Sequence, residues 1–406
     1  MASPFAMLTK VRFAPLFATN LLGTFNDNLF KTGLLMLASY GIFRGAPDRA
    51  AELGALATGL YVLPFFLVSA VAGQLADHFE RGGMVRLVKG AEAMIMAIGL
   101  LGFLLHAIPL LLLALFLMGV HSAVFGPLKY AILPLHLHED ELLGGVGLME
   151  AGGYLAILGG QLLAGLVAPW QAGLIAVSMA LVGLLASLAI PPARSVAEPE
   201  ALDLNVLRAS ARLLGLARAE RPVWLSMLGV AWFYVVGTVL LAEMIPLVQG
   251  VLHAERAVAV LFLTLFSVGV AAGAVLANRM LKGEVSARYA PPAALILAGL
   301  LLELSFTVRA FPVQSGSLPL WRFLLFPAAW RITADLFALA LVGGLYVIPL
   351  SAMIQRHSPF AIRSRIQSAS SILTAASTAC ALLAAGLLLK LGVNLPGLLA
   401  VLAAGT

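Results

Sequence analysis

Apolar stretches about 20 residues long follow one another along the whole 406-residue chain. That is the length a helix needs to cross the hydrocarbon core of a bilayer. Lipid offers no water to unpaired amides, so each stretch has to satisfy its own backbone as helix. Twelve are marked, at about 13–43, 53–76, 84–106, 109–133, 144–168, 171–190, 223–248, 256–280, 290–308, 332–356, 365–389 and 392–406. Composition removes the main alternative, a large soluble helical core. With 61% of residues hydrophobic, 11% charged and a mean hydropathy of +1.01, there is too little polar surface to meet water. Soluble chains carry roughly twice that charged fraction. The chain is therefore expected to be an all-α, multi-pass membrane protein. Its last stretch is short, which predicts either a short final helix or a chain cut from something longer.

The stretches fall into two groups of six. Residues 1–190 predict an N-terminal six-helix bundle and residues 223–406 a C-terminal one. The segment between them, 191–222, opens with Pro191 and Pro192 and carries Arg194, Arg208, Arg212, Arg218 and Arg221. Leu204, Leu207, Ala211 and Leu214 recur there at helical spacing. They predict an amphipathic helix, either lying on the membrane surface or solvated as a linker. Lys and Arg set the orientation. With the N-terminus inside, basic residues of the inner loops (Lys10, Arg12, Arg81, Arg86 and the linker among them) outnumber the outer ones by about two to one. Both termini are expected in the cytoplasm. The formal charge of +6 is accounted for by these loops facing anionic lipid, not by nucleic acid. The single Cys380 can form no intrachain disulfide, and no metal or cofactor is expected.

Ionisable residues at bilayer depth cost ~2.5–3.5 kcal/mol each on insertion scales, and they mark partners or hydrated cavities. In the first span Asn20, Thr24, Asp27 and Lys31 fall at i, i+4, i+7 and i+11, one stripe of a helix, with Asn28 beside them. Asp27 and Lys31 are one turn apart and could partly neutralise each other. The fourth span holds His121, Ser122 and Lys129, with Pro127 expected to break the helix ladder between them. The fifth places Glu150, Tyr154 and Gln161 on one face. The seventh offers Trp232 and Phe233, the tenth Tyr346 and Gln355, and the eleventh Gln367, Ser371, Thr374 and Thr378 at helical spacing. Lys89 and Glu92 lie near the inner end of the third span and predict a snorkelling pair. Stripes from both halves predict a cavity at their interface, worked by alternating access. Most charge would sit on the first half, against aromatic and apolar walls on the second. The competing reading of the same charges is a set of buried ion pairs locking helices together.

The inner loop after the second span reads GQLADHFERGGMVR, and Gly73, Leu75, Asp77, Arg81 and Gly82 resemble the loop signature of the major facilitator superfamily. The resemblance implies a 12-helix fold of two six-helix bundles related by a pseudo-two-fold axis. It further implies a conformational switch, in which Asp77 meets the start of the eleventh helix at Arg363 and Arg365 and holds the outward-open state. GTFNDNLFK, FGPLKYAILP, AWFYVVG and GGLYVIPLSAMIQRHSP, spread over spans one, four, seven and ten, look like the lysophospholipid transporter family. In the eleventh span, where that family tends to show asparagines, this chain has Ser368, Ser370 and Ser371. The resemblance implies a lysophospholipid substrate, moved from the outer to the inner leaflet of a bacterial inner membrane for re-acylation. It also implies an acyltransferase or acyl-ligase partner, fused or separate. A zwitterionic headgroup needs an anion near its amine and cations near its phosphate. Asp27 and Glu150 are then the candidate amine partners, and Lys31 and Lys129 the candidate phosphate partners.

Two other functions stay open at this point. A proton-coupled drug exporter of the same fold would use Asp27 or Glu150 as its protonation site. A membrane-bound lipid enzyme is suggested by PLHLHEDELL, with His136, His138, Glu139 and Asp140. An acyltransferase wants Asp five positions after its His, and His136 has Glu141 there. No nucleophile elbow, phosphate-binding loop or paired-Cys motif is present, so an enzyme is not expected.

Overall fold

The structure, a computed structural model, describes residues 4–43, 47–193, 205–312, 317–359 and 362–406. Most of the linker's first half, Arg194 included, falls outside them. The first bundle is built of α1 (Ala14–Met36), α2 (Pro47–His78), α3 (Arg81–Leu104), α4 (Ile108–His136), α5 (Glu139–Leu166) and α6 (Pro169–Leu188). An amphipathic α7 (Val206–Ala219) follows. The second bundle is α8 (Arg221–Ala242), α9 (Arg256–Leu281), α10 (Ala290–Arg309), α11 (Pro327–His357), α12 (Arg363–Lys390) and the short α13 (Leu395–Gly405). Ten of these helices are long and apolar enough to cross a membrane. The exceptions are α7, the polar-centred α1, and α13 with its eleven residues.

The packing pattern repeats between the halves. In the first, α1 packs on α5, α2 on α4, and α3 on α4 and α6. In the second, α8 packs on α12, α9 on α11, and α10 on α11 and α13. Each pair of the second set is a pair of the first moved on by seven helices. The halves meet through α5 against α9 and α2 against α12, and the same shift exchanges these two contacts. This is the two-bundle arrangement with a pseudo-two-fold axis. Small residues allow the close crossings. A Cβ on Gly160 of α5 would run into the backbone of α1 at Phe25 and Leu29.

Pro127 leaves one bond of the ladder unmade, as expected, yet α4 runs on through Pro127 and Pro134 to His136. One sequence expectation changes here. The amphipathic α7 turns its apolar face to protein, not to the lipid surface. Ala209, Leu213 and Ala217 are buried, and the helix packs on α2, α8 and α12, touching both bundles at one end of the molecule.

Candidate functional site

A cavity of about 460 Å³ lies between the two bundles. It exists because several helices each turn one polar stripe inward. Asn20, Thr24, Asp27 and Asn28 come from α1, and His121, Ser122 and Lys129 from α4. Glu150 comes from α5, with Gln355 and the Gln367–Thr378 stripe from α11 and α12. Tyr61 and Phe65 of α2, Phe125 and Tyr130 of α4, and Val230, Tyr234 and Thr238 of α8 complete the wall. Eight of the thirteen candidate binding residues are thus brought together.

The other five lie elsewhere. Lys31 is one turn beyond Asp27, with its ammonium 5.9 Å from the centre of the Tyr61 ring. Tyr154 is half-buried, edge-on to Phe266 of α9. Trp232, Phe233 and Tyr346 line a separate, tight apolar pocket, and the Trp232 indole donates to Thr406. On α8 the inward face is Val230, Tyr234 and Thr238, at i, i+4 and i+8, so of the run AWFY the tyrosine faces the cavity and its two neighbours turn away. The second half accordingly presents amides and hydroxyls, not the aromatic wall its sequence suggested. Gln355 donates to Gln367 at 2.7 Å across α11 and α12.

The charged groups of the cavity are held by hydrogen bonds more than by one another. Asp27 Oδ2 accepts from the Ser122 hydroxyl at 2.9 Å and the Tyr61 hydroxyl at 3.2 Å, while its Oδ1 is left without a partner. It forms no ion pair with Lys31 among the described residues. Lys129 donates to the Asn20 side chain at 2.8 Å. Glu150 accepts from the hydroxyl of Tyr130 in the first bundle and from that of Tyr234, at 3.3 Å, in the second. The cavity therefore holds a cation and two anions on hydroxyl and amide supports, in a low-dielectric setting that strengthens each contact.

Lys89 and Glu92 do not snorkel. Both are fully buried and paired with each other inside the first bundle. Asn26 donates to Glu92 at 3.2 Å, His121 Nε2 lies 3.2 Å from its other oxygen, and the Lys89 ammonium faces the Thr19 carbonyl and the Phe125 ring. The pair is held inside because α3 lies between α4 and α6 and turns this face to α1, where Gly23 leaves room for the ammonium. His121 thus touches both the cavity and this inner cluster.

One end of the molecule is packed shut below the cavity. Asp77 of α2, fully buried, accepts from Arg81 at 3.1 Å and lies 3.3 Å from the Arg365 guanidinium at the start of α12. Arg363 is buried beside them and donates to the Ser358 carbonyl at 3.2 Å. Gly73 is where α2 and α12 touch: a Cβ there would stand 2.9 Å from the Ser368 Cβ and 3.1 Å from the Arg365 Cα. Next to this layer Glu80 caps α3, accepting from the amides of Gly82, Gly83 and Ala193. Partial burial pushes its pKa up, but the three amides outweigh this and hold the carboxyl below the usual carboxylate range. The loop with His136, His138 and Glu139 serves this end too. His138 caps α5 together with Glu141, and Glu139 lies 3.4 Å from Arg356 of the other bundle. Among the described residues no cluster of His, Cys, Asp or Glu could hold a metal ion.

Comparison with known proteins fits this geometry. Over 347 residues the chain is 27% identical to the lysophospholipid transporter LplT of Salmonella paratyphi A, covering 82% of this chain and 77% of that one. In fold it matches the human organic anion transporter MFSD10 with a TM-score of 0.74 at 15% identity, over 97% of both chains. It matches the E. coli fucose:proton symporter FucP with a TM-score of 0.68 at 14% identity, over 97% of this chain and 96% of that one. The family model of the Major Facilitator Superfamily matches residues 16–385, and with nearly the whole described chain inside that match, the protein is a member of that superfamily.

Proposed function

We propose that the protein is a lysophospholipid transporter, carrying its substrate from the outer to the inner leaflet of a bacterial inner membrane by alternating access. The observation that carries this reading is the cavity itself. One void between the bundles holds Lys129, Asp27 and Glu150 together with apolar groups from Phe65, Phe125 and Val230. A phosphate finds a cation there, an amine finds carboxylates, and a single acyl chain finds apolar surface. The likeness to LplT supports the same substrate class. In this reading the shut end is cytoplasmic, as the basic loops imply, and the Asp77–Arg365 layer holds the outward-open state. A re-acylating acyltransferase or acyl-ligase is the partner that would consume the delivered lipid. The test is leaflet-specific transport of labelled lysophosphatidylethanolamine by the purified protein in liposomes. Asp27→Ala and Lys129→Ala should each abolish transport while leaving protein in the membrane, and transport at wild-type rate by both variants would remove the proposed site.

A second reading, a proton-coupled exporter, is favoured by one feature. Asp27 is braced by hydroxyls alone and keeps one unpartnered oxygen, a setting that admits a proton. Varying the proton gradient in the same liposomes separates the two, because lysolipid flipping that ignores the gradient counts against it.

A further inference from the structure

A second void lies within the first bundle. It measures about 460 Å³, as large as the cavity between the bundles, and sits where α1, α3, α5 and α6 end or begin, opposite the Asp77 layer. Leu37, Phe103 and Ala164, each at most 4% exposed, form its floor. Leu104, His106 and Trp170 stand exposed at its rim. Among the described residues no Asp, Glu, Lys or Arg lines it, and none of its walls comes from the second bundle.

Protein interiors pack as densely as organic crystals, and an apolar void does not hold ordered water. A void of this size therefore calls for an apolar occupant, and the level of its mouth decides which. The turns beside it are short, three residues at 105–107 and two at 167–168. Residues 93–128 and 151–193 contain no Asp, Glu, Lys or Arg, so neither turn carries a charge that would hold it out in water. Their outward side chains are apolar as well: Leu105 is 62% exposed and Leu166 83%. Such turns lie at the membrane interface, where acyl chains begin and where Trp is favoured. The His106 ring and the Trp170 indole have no hydrogen-bond partner among the described residues, which leaves both for the phosphate and ester oxygens of a lipid.

We propose that this void holds one acyl chain of a diacyl phospholipid from the leaflet opposite the Asp77 layer, a resident lipid with its headgroup at His106 and Trp170. Without a charged side chain the pocket does not select among headgroups, so it takes the chains most abundant around it. One bundle supplies every wall, so rocking of the two bundles neither opens nor closes it, and the occupant stays in place through the cycle. The bound chain braces the end of α1, which widens there into a π turn at Leu37–Ile42.

Photolabelling of the full chain in detergent-free nanodiscs of phosphatidylethanolamine and phosphatidylglycerol tests this. The probe is diacyl phosphatidylglycerol with a diazirine near the end of one acyl chain. Label should concentrate on the buried floor, in peptides holding Leu37, Phe103 and Ala164. Ala164→Phe and Val167→Phe, which put side chain into the void, should each lose the floor label and keep the label on the outward faces of α3 and α6. If one variant is not recovered folded the other decides, and if neither is, the distribution of label in the wild type decides. Floor label no stronger than label on those outward faces, or floor label that survives in the filled variants, overturns the site. Lysophosphatidylglycerol with the same diazirine separates the two sources of a chain. If it labels the floor and excess diacyl lipid does not displace it, the pocket is a second substrate site and the resident lipid is overturned; displacement by the diacyl lipid supports it.

Discussion

Lys89 is sealed against Glu92 inside the first bundle, with Asn26 and His121 around the pair. Breaking a buried pair by removing one partner leaves an uncompensated charge and costs about 3–5 kcal/mol, whereas replacing both with apolar groups of similar size is often neutral. Glu92→Ala should therefore lower the unfolding midpoint sharply, and Lys89→Met with Glu92→Met should restore most of it. Thermal unfolding in detergent measures both, and a double variant as unstable as the single one would show that the charges serve more than each other. The stripe Asn20, Thr24, Asp27 was legible because 3.6-residue periodicity is a local property. Lys31, Trp232 and Phe233 lie outside the cavity lining; spacing says which residues share a face, not where that face ends or which neighbour covers it. Tyr234 was missed for the same reason: among three consecutive aromatics, only the packing of α8 on α11 and α12 decides which one looks into the cavity.

At the scale of the element, α2 and α12 carry the clearest demand. They touch at Gly73, whose missing side chain is filled by Ser368 and the Arg365 backbone. Gly73→Val has nowhere to put its methyl groups while the two helices are in contact. It should shift the protein toward conformations open at this end, read as increased labelling of a cysteine placed below the cavity. Unchanged labelling would mean that the helices part without affecting access. The beginning of α3 makes a separate prediction. Glu80 titrates below its ordinary value in the folded chain, so its contribution is present above the unfolded pKa and is lost as pH falls through the folded one. The protection of the Gly82, Gly83 and Ala193 amides against hydrogen exchange, measured relative to their intrinsic rates at each pH, should fall on acidification in the wild type. In Glu80→Gln that protection should be lower throughout, with no such pH step. The loop signature made the Asp77 contact foreseeable, whereas the way α7 bridges both bundles left no trace in its own amphipathic pattern.

For the whole molecule, the shift by seven helices that maps one bundle onto the other also exchanges the two contacts between them, α5 with α9 and α2 with α12. Such an interface has two matched ways to close, one at each end, and a modest energy difference chooses between them. At the shut end, beside the charged layer of Asp77, Arg81 and Arg365, Glu139 and Arg356 add a second link between the bundles. Removing the Asp77 charge takes away the anion that Arg81 and Arg365 both pair with and leaves two buried guanidiniums without it, so the shut state should lose population. Each 1.4 kcal/mol of lost preference shifts the balance about tenfold. With Cys380 replaced by Ser and Ser371→Cys introduced in the cavity wall, a membrane-impermeant thiol reagent applied from the Asp77 side should label Asp77→Asn substantially faster than its parent, and labelling from the opposite side should slow. If both rates stay as they were, the layer is a structural buttress and the choice between the two closed ends is made elsewhere along the α5–α9 contact.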